Sequence, residues 1–292
     1  MGSGNELGLG KPGRLGVVLG GGGVIGAAWM AGVGAGLRRR GIDLGAAESV
    51  VGTSAAGGGP PAGRRGGAAL ATGVDLDSFA EHRGRPGGDA GGAVKPELLG
   101  AVFGLLFGSG MDREAARRKV GQLAMAEEAA GARHFEAMEW LVGGKEWPDR
   151  LRVVVVDAES GERRVWDRHS GVPLPVAVTA SRALPGAFPP VVVDDHYYID
   201  GGVWSPTNAD VAADSDILVV IEPLAHRVSG EQLQDELART TAGTVVRFAP
   251  DAAAIDVFNA YAANTLAGWP EAFGHGVRQA DSLARKLAVT VD

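Results

Sequence analysis

Ser54 is where a reaction on an acyl group would begin. It stands in Val51-Gly52-Thr53-Ser54-Ala55-Ala56, where the short run Ser49 to Val51 reads as a buried strand ending on a sharp turn. A serine on such a turn holds its hydroxyl clear above a sheet, provided its neighbours are small. Gly52 meets that demand, and Ala56 stands where the usual G-x-S-x-G spacing has glycine. A hydroxyl nucleophile needs a base. Asp200, in Tyr198-Ile199-Asp200-Gly201-Gly202, is delivered by a second strand-like run onto two glycines that let another backbone approach closely. An aspartate, with a reference pKa of ~3.9, is ionised at neutral pH and accepts a serine proton within hydrogen-bond reach. Acyl transfer also requires donors for the tetrahedral oxyanion, and losing one costs ~10²- to 10³-fold in turnover. The amides of Gly21, Gly22 and Gly23 are candidate donors, in a glycine turn that runs through Gly26 into a helical pattern.

The same turn supports a rival. Gly21, Gly23 and Gly26 match G-x-G-x-x-G between a strand and a helix, the arrangement of a dinucleotide-binding oxidoreductase. That fold ends its second strand on an acidic residue, whereas here Ser49-Val50-Val51 runs into Gly-Thr-Ser and Asp43 precedes the strand. Placement therefore favours the hydrolase. Six histidines are present, and a Ser-His-Asp triad in its usual order would draw on His226 or His275. Neither sits in a recognisable motif, so surface or capping roles are expected for all six. The chain has no cysteine, which excludes disulfides and cysteine-ligated metal.

These residues need elements to hold them. Leu15 to Leu19 reads as a strand, and Ile25, Trp29, Val33 and Leu37 share one face of the helix that follows, which closes on Arg38-Arg39-Arg40 and Gly41. Leu151 to Asp157 is nearly continuous in valine, as a strand covered on both faces would be, and Arg163 to Trp166 pairs beside it. Pro175 to Ala183 reads as a short helix. Pro190 to Asp194 and His196 to Ile199 form a hairpin, and Asp216 to Glu222 and Thr244 to Phe248 are further strands. Residues from about 271 onward read as a helix. Strands alternating with helices predict an α/β fold, a three-layer α/β/α arrangement with a mostly parallel central sheet. Leu98 to Phe107 reads as a buried helix, with a lid or membrane-touching element as the other reading. Trp166, Trp204, Phe188, Tyr197 and Tyr198 are expected to pack in the core, and the alternative is that they line an acyl pocket.

The length of 292 residues fits a single domain over 15–292 behind a flexible tail at 1–14. Forty-seven glycines, clustered instead of periodic, predict tight turns and mobile segments near 57–68 and 84–93. The net charge of −7, without a basic run, excludes the electrostatic footprint of a nucleic-acid binder. No signal peptide and no apolar run of ~18 residues is evident, so a cytoplasmic location is expected.

Taken in order, the glycine-rich turn, the G-x-S turn and the Asp-Gly-Gly turn resemble the patatin-like phospholipase family. The segment Val178-Thr179-Ala180-Ser181-Arg182-Ala183-Leu184-Pro185-Gly186-Ala187-Phe188-Pro189-Pro190 is also similar to the family's stretch before its aspartate. The resemblance covers roughly 14–57 and 151–223. It implies a patatin-like fold and a Ser-Asp dyad without histidine: Ser54 as nucleophile, Asp200 as base, and Gly21, Gly22 and Gly23 as oxyanion hole. Gly26, Gly52, Gly201 and Gly202 are motif support. The implied reaction is hydrolysis of a lipid or phospholipid acyl ester through an acyl-serine, with no metal or organic cofactor; transient membrane-surface contact is left open. Two departures stand out. Ile25 occupies a position that is often basic in the family, and Pro60, Pro61, Arg64 and Arg65 interrupt the small-residue helix expected behind Ser54. The second departure keeps open a catalytically impaired relative that binds lipid or a protein partner.

Overall fold

The computed structural model describes residues 13–54, 94–108, 110–142, 146–262 and 267–291. The glycine-rich segments expected near 57–68 and 84–93, and the helix expected behind Ser54, lie outside them.

Five strands make the parallel part of the sheet: β1 (Leu15–Leu19), β2 (Ser49–Thr53), β3 (Leu151–Asp157), β7 (Ile217–Ile221) and β8 (Thr244–Phe248). Their order is β3-β2-β1-β7-β8, and every neighbouring pair is parallel. Three antiparallel strands extend it: β4 (Arg163–Trp166) pairs with β3, and the hairpin β5 (Val191–Val193) and β6 (His196–Asp200) joins β3 through β6. The mostly parallel expectation holds for the central strands, and the antiparallel margin makes the whole sheet mixed.

Alternation along each strand divides the core by face. Val17, Leu19, Val50, Val153, Val155, Val219 and Ile221 share one cluster with helices α1 (Gly23–Arg38) and α8 (Trp269–Val291). Val18, Val51, Val154, Leu218 and Val220 point the other way, toward Ala209, Ala212 and Leu233 of α6 (Glu231–Leu237). On that second face, the antiparallel margin packs Val156 and Ile199 against α2 (Pro96–Phe107) and α3 (Arg113–Met125). Eight α-helices lie among the described residues; the others are α4 (Ala132–Val142), α5 (Leu174–Ser181) and α7 (Ala252–Ala260). The three-layer α/β/α fold is thus present.

Helix α1 is buried all round from Ile25 to Leu37, because α8 covers the side turned from the sheet. Glycines permit this: a Cβ on Gly32 would stand 2.0 Å from the Phe273 carbonyl, and one on Gly276 2.0 Å from that of Trp29. The run Leu98 to Phe107 is helical as α2, but it is not a buried helix. Only Val102 is fully enclosed, while Phe103 and Phe107 are exposed and their rings sit 5.9 Å apart.

Candidate active site

The two candidate chemical groups meet because β3 has two edges and three partners. Val153 and Val154 pair with both β2 and β4, so those strands lie on opposite edges. Val155 and Val156 pair with both β4 and β6, so β6 must share the edge of β2. Strand β2 ends with Thr53 opposite Val154, and β6 ends with Asp200 opposite Val155. The two strands therefore abut end to end, and the residues at the junction are Ser54 and Asp200. The Ser54 hydroxyl donates to Asp200 Oδ2 over 2.6 Å.

Ser54 leaves the strand in a left-handed conformation, φ 59°. A non-glycine residue there is strained by about 1–3 kcal/mol, and such strain persists only where surrounding contacts impose it. One such contact is visible. The Ser54 N–H donates to Ser181 Oγ (3.1 Å), and the Ser181 hydroxyl donates in turn to the Val154 carbonyl (2.7 Å), tying the turn to β3 through the last residue of α5. Sequence reading quoted Ser181 without assigning it this part, since its partners lie far away in the chain.

Asp200 is 2% exposed. Its Oδ1 accepts the Gly202 N–H at 2.7 Å while Oδ2 faces Ser54. Burial drives the carboxyl up to about 7, against the opposing pull of the Ser54 and Gly202 hydrogen bonds and the positive charge of Arg182. Gly201 is needed for proximity: a Cβ there would lie 2.4 Å from the Val154 carbonyl. Gly52 lies in register opposite Val153.

The glycine turn between β1 and α1 closes on the same place. A Cβ on Gly21 would stand 3.2 Å from Ser54 Cβ, and one on Gly22 would lie 2.8 Å from Gly26 Cα. Gly23 begins α1 with φ 59°. Gly21 requires a correction to the three-donor expectation: its N–H already donates to the Pro206 carbonyl at 2.8 Å. Among the described residues, the Gly22 and Gly23 amides have no acceptor, and they stand where the helix dipole favours negative charge.

No described histidine hydrogen-bonds to Ser54 or Asp200. Of the aromatic residues, Trp166 is buried in the core and meets the half-buried Tyr198 edge to face at 4.6 Å; the half-buried Trp204 lies under Arg117, and Phe188 lies under Arg182 and lines a cleft. That cleft, of about 700 Å³, runs between Phe188 and Pro189, Lys95 at the start of α2, and His134 near the start of α4; neither Ser54 nor Asp200 lines it. That volume falls in the range of ligand sites. No group of acidic or histidine side chains among the described residues is arranged to hold a metal ion, and no described helix is long and apolar enough to cross a membrane.

The sheet and its flanking helices define a three-layer α/β/α protein whose candidate site sits where the central parallel strands end in their turns, the usual place for sites in open α/β sheets. The family model for patatin-like phospholipase matches residues 17–213, and the chain belongs to that family. The oxidoreductase alternative ends here, as β2 runs into Ser54 and not into an acidic residue. No curated protein matches. Among solved structures, the crystal structure of the type III effector protein ExoU matches at 14% identity over 94% of this chain and 54% of that one, with a TM-score of 0.29. The chain therefore spans about half the length of that protein, and an overlay this loose carries no argument.

Proposed function

We propose that the chain cleaves lipid acyl esters with Ser54 as nucleophile and Asp200 as its sole base. The observation that carries this reading is the 2.6 Å hydrogen bond between a strained serine hydroxyl and a carboxyl that burial has raised to about 7. In the first step, Ser54 Oγ attacks the ester carbonyl carbon and its proton passes to Asp200 Oδ2. The resulting oxyanion takes the Gly22 and Gly23 N–H groups as donors, the role foreseen for the whole Gly21–Gly23 turn. Collapse of the tetrahedral species breaks the bond to the alcohol, which leaves with the proton from Asp200. Water then attacks the acyl-serine, again losing a proton to Asp200; the second tetrahedral species breaks its bond to Ser54 Oγ, which regains the proton from Asp200 as the fatty acid leaves. No metal or organic cofactor enters the scheme.

Fluorophosphonate labelling and hydrolysis of p-nitrophenyl and phospholipid esters test it. Wild type should label and turn over, whereas Ser54→Ala and Asp200→Asn should do neither above background. Only ionised Asp200 can take the serine proton. Turnover should therefore fall about tenfold per pH unit below about 7 and level off above it. Efficient labelling of Ser54→Ala, or a flat profile from pH 5 to about 8, would remove the dyad. Failure of folded wild type to label would favour the impaired, lipid-binding relative.

A further inference from the structure

The loop after the Asp-Gly-Gly turn reaches every part of the candidate site. Pro206 receives the Gly21 N–H through its carbonyl, and two residues later Asn208 is wholly buried with φ 58°. The Asn208 side-chain nitrogen lies 3.1 Å from Thr53 Oγ1, 3.4 Å from the Gly201 carbonyl and 2.7 Å from the Ser205 carbonyl. Thr53 immediately precedes Ser54, and Gly201 immediately follows Asp200. Arg163, which can only donate, faces Asn208 Oδ1 at 3.2 Å, so the amide nitrogen must be the end turned toward the site. Arg163 is itself held by Asp210 through two hydrogen bonds, at 2.6 and 2.8 Å. Behind the loop, buried Glu236 accepts the Thr207 hydroxyl at 2.7 Å and the Ala209 N–H at 2.8 Å, both on Oε2.

We infer that Asn208 is a positioning residue: one side chain holds the end of the nucleophile's strand and the aspartate's turn in register, and Glu236 fixes the loop that presents it. The inference rests on the Ser54–Asp200 reading. Three features separate it from ordinary core satisfaction. The residue pays left-handed strain that glycine would avoid, its donors bridge the two strand ends that abut on β3, and its loop also fixes the glycine turn. Burial raises the Glu236 carboxyl, while the Ser205 and Thr207 hydroxyls and the Ala209 amide pull the other way. Glutamine keeps the shape of the side chain and a carbonyl oxygen able to accept the Thr207 hydroxyl and the Ala209 N–H.

The test measures kcat, KM, fluorophosphonate labelling rate and thermal midpoint for Asn208→Ala, Asn208→Gly, Glu236→Ala and Glu236→Gln, with Ser54→Ala alongside. Both Asn208 variants should lose kcat and labelling rate on the order of 10- to 100-fold, the usual effect of small misplacement, with KM little changed. Asn208→Gly, relieved of strain, should melt above Asn208→Ala yet be no more active. Glu236→Ala should lose activity similarly, and Glu236→Gln should recover most of it. Wild-type turnover in Asn208→Gly, a change confined to KM, or failure of that variant to fold would each overturn the inference. Activity retained in Ser54→Ala would instead sink the dyad reading itself, so the two failures are told apart.

Discussion

Asp200 is placed where a carboxylate is least comfortable, and on the proposed reading that discomfort tunes it as a base. Raised to about 7, it spends the neutral range half ionised, where a general base is most effective. The same shift costs stability. Below about pH 4 the group is protonated in both folded and unfolded chains and no penalty exists; from about 4 to about 7 the unfolded chain ionises while the folded chain keeps its proton, so stability falls across that window and the full loss stands above it. Asp200→Asn should therefore be more stable than wild type at pH 8, by something on the order of a few kcal/mol, and no more stable at pH 4. Thermal melts at both pH values decide it, and equal midpoints at pH 8 would mean the carboxyl is not held up by burial. Ser54 and Asp200 were legible because each sits in a compact motif of small residues. Asn208, Ser181 and Glu236 were not, because their meaning lies in partners that adjoin only after folding, such as Thr53, 155 residues from Asn208.

Among the elements, α1 is the least ordinary. Its sequence from Gly23 to Leu37 carries no charged or strongly polar residue, and that all-round apolarity was the signal that a second layer would cover it. The glycines at 32, 36 and 276 bring α8 close enough to do so. Gly32→Ala would thrust a methyl group to 2.0 Å from the Phe273 carbonyl, so α8 must move away; the expected loss is about 1–3 kcal/mol. Urea melts of Gly32→Ala beside the exposed control Gly100→Ala, where a Cβ meets nothing, measure that loss. A Gly32 variant as stable as the control would show that the helices tolerate separation. For α2, hydrophobicity alone suggested burial, but periodicity could not reveal which layer was available to bury it.

At the scale of the whole molecule, the strands that build the sheet were legible nearly residue for residue, since valine-rich runs bounded by glycine and aspartate have few other outcomes. The sharing of one edge of β3 by β2 and β6 was not, because pairing partners are a property of the assembled sheet. That shared edge makes the site a late product. Ser54 and Asp200 are 146 residues apart, and neither half of the chain contains both. On refolding, fluorophosphonate reactivity should appear only with the final cooperative recovery of structure, and reactivity in a chain cut short before β6 would contradict this. On the proposed reading, a hydrolase whose chemistry exists only at a completed seam reports on its own assembly: unfinished or nicked copies would be harmless to the lipids around them, and damage to the sheet would silence the enzyme before it could misdirect it.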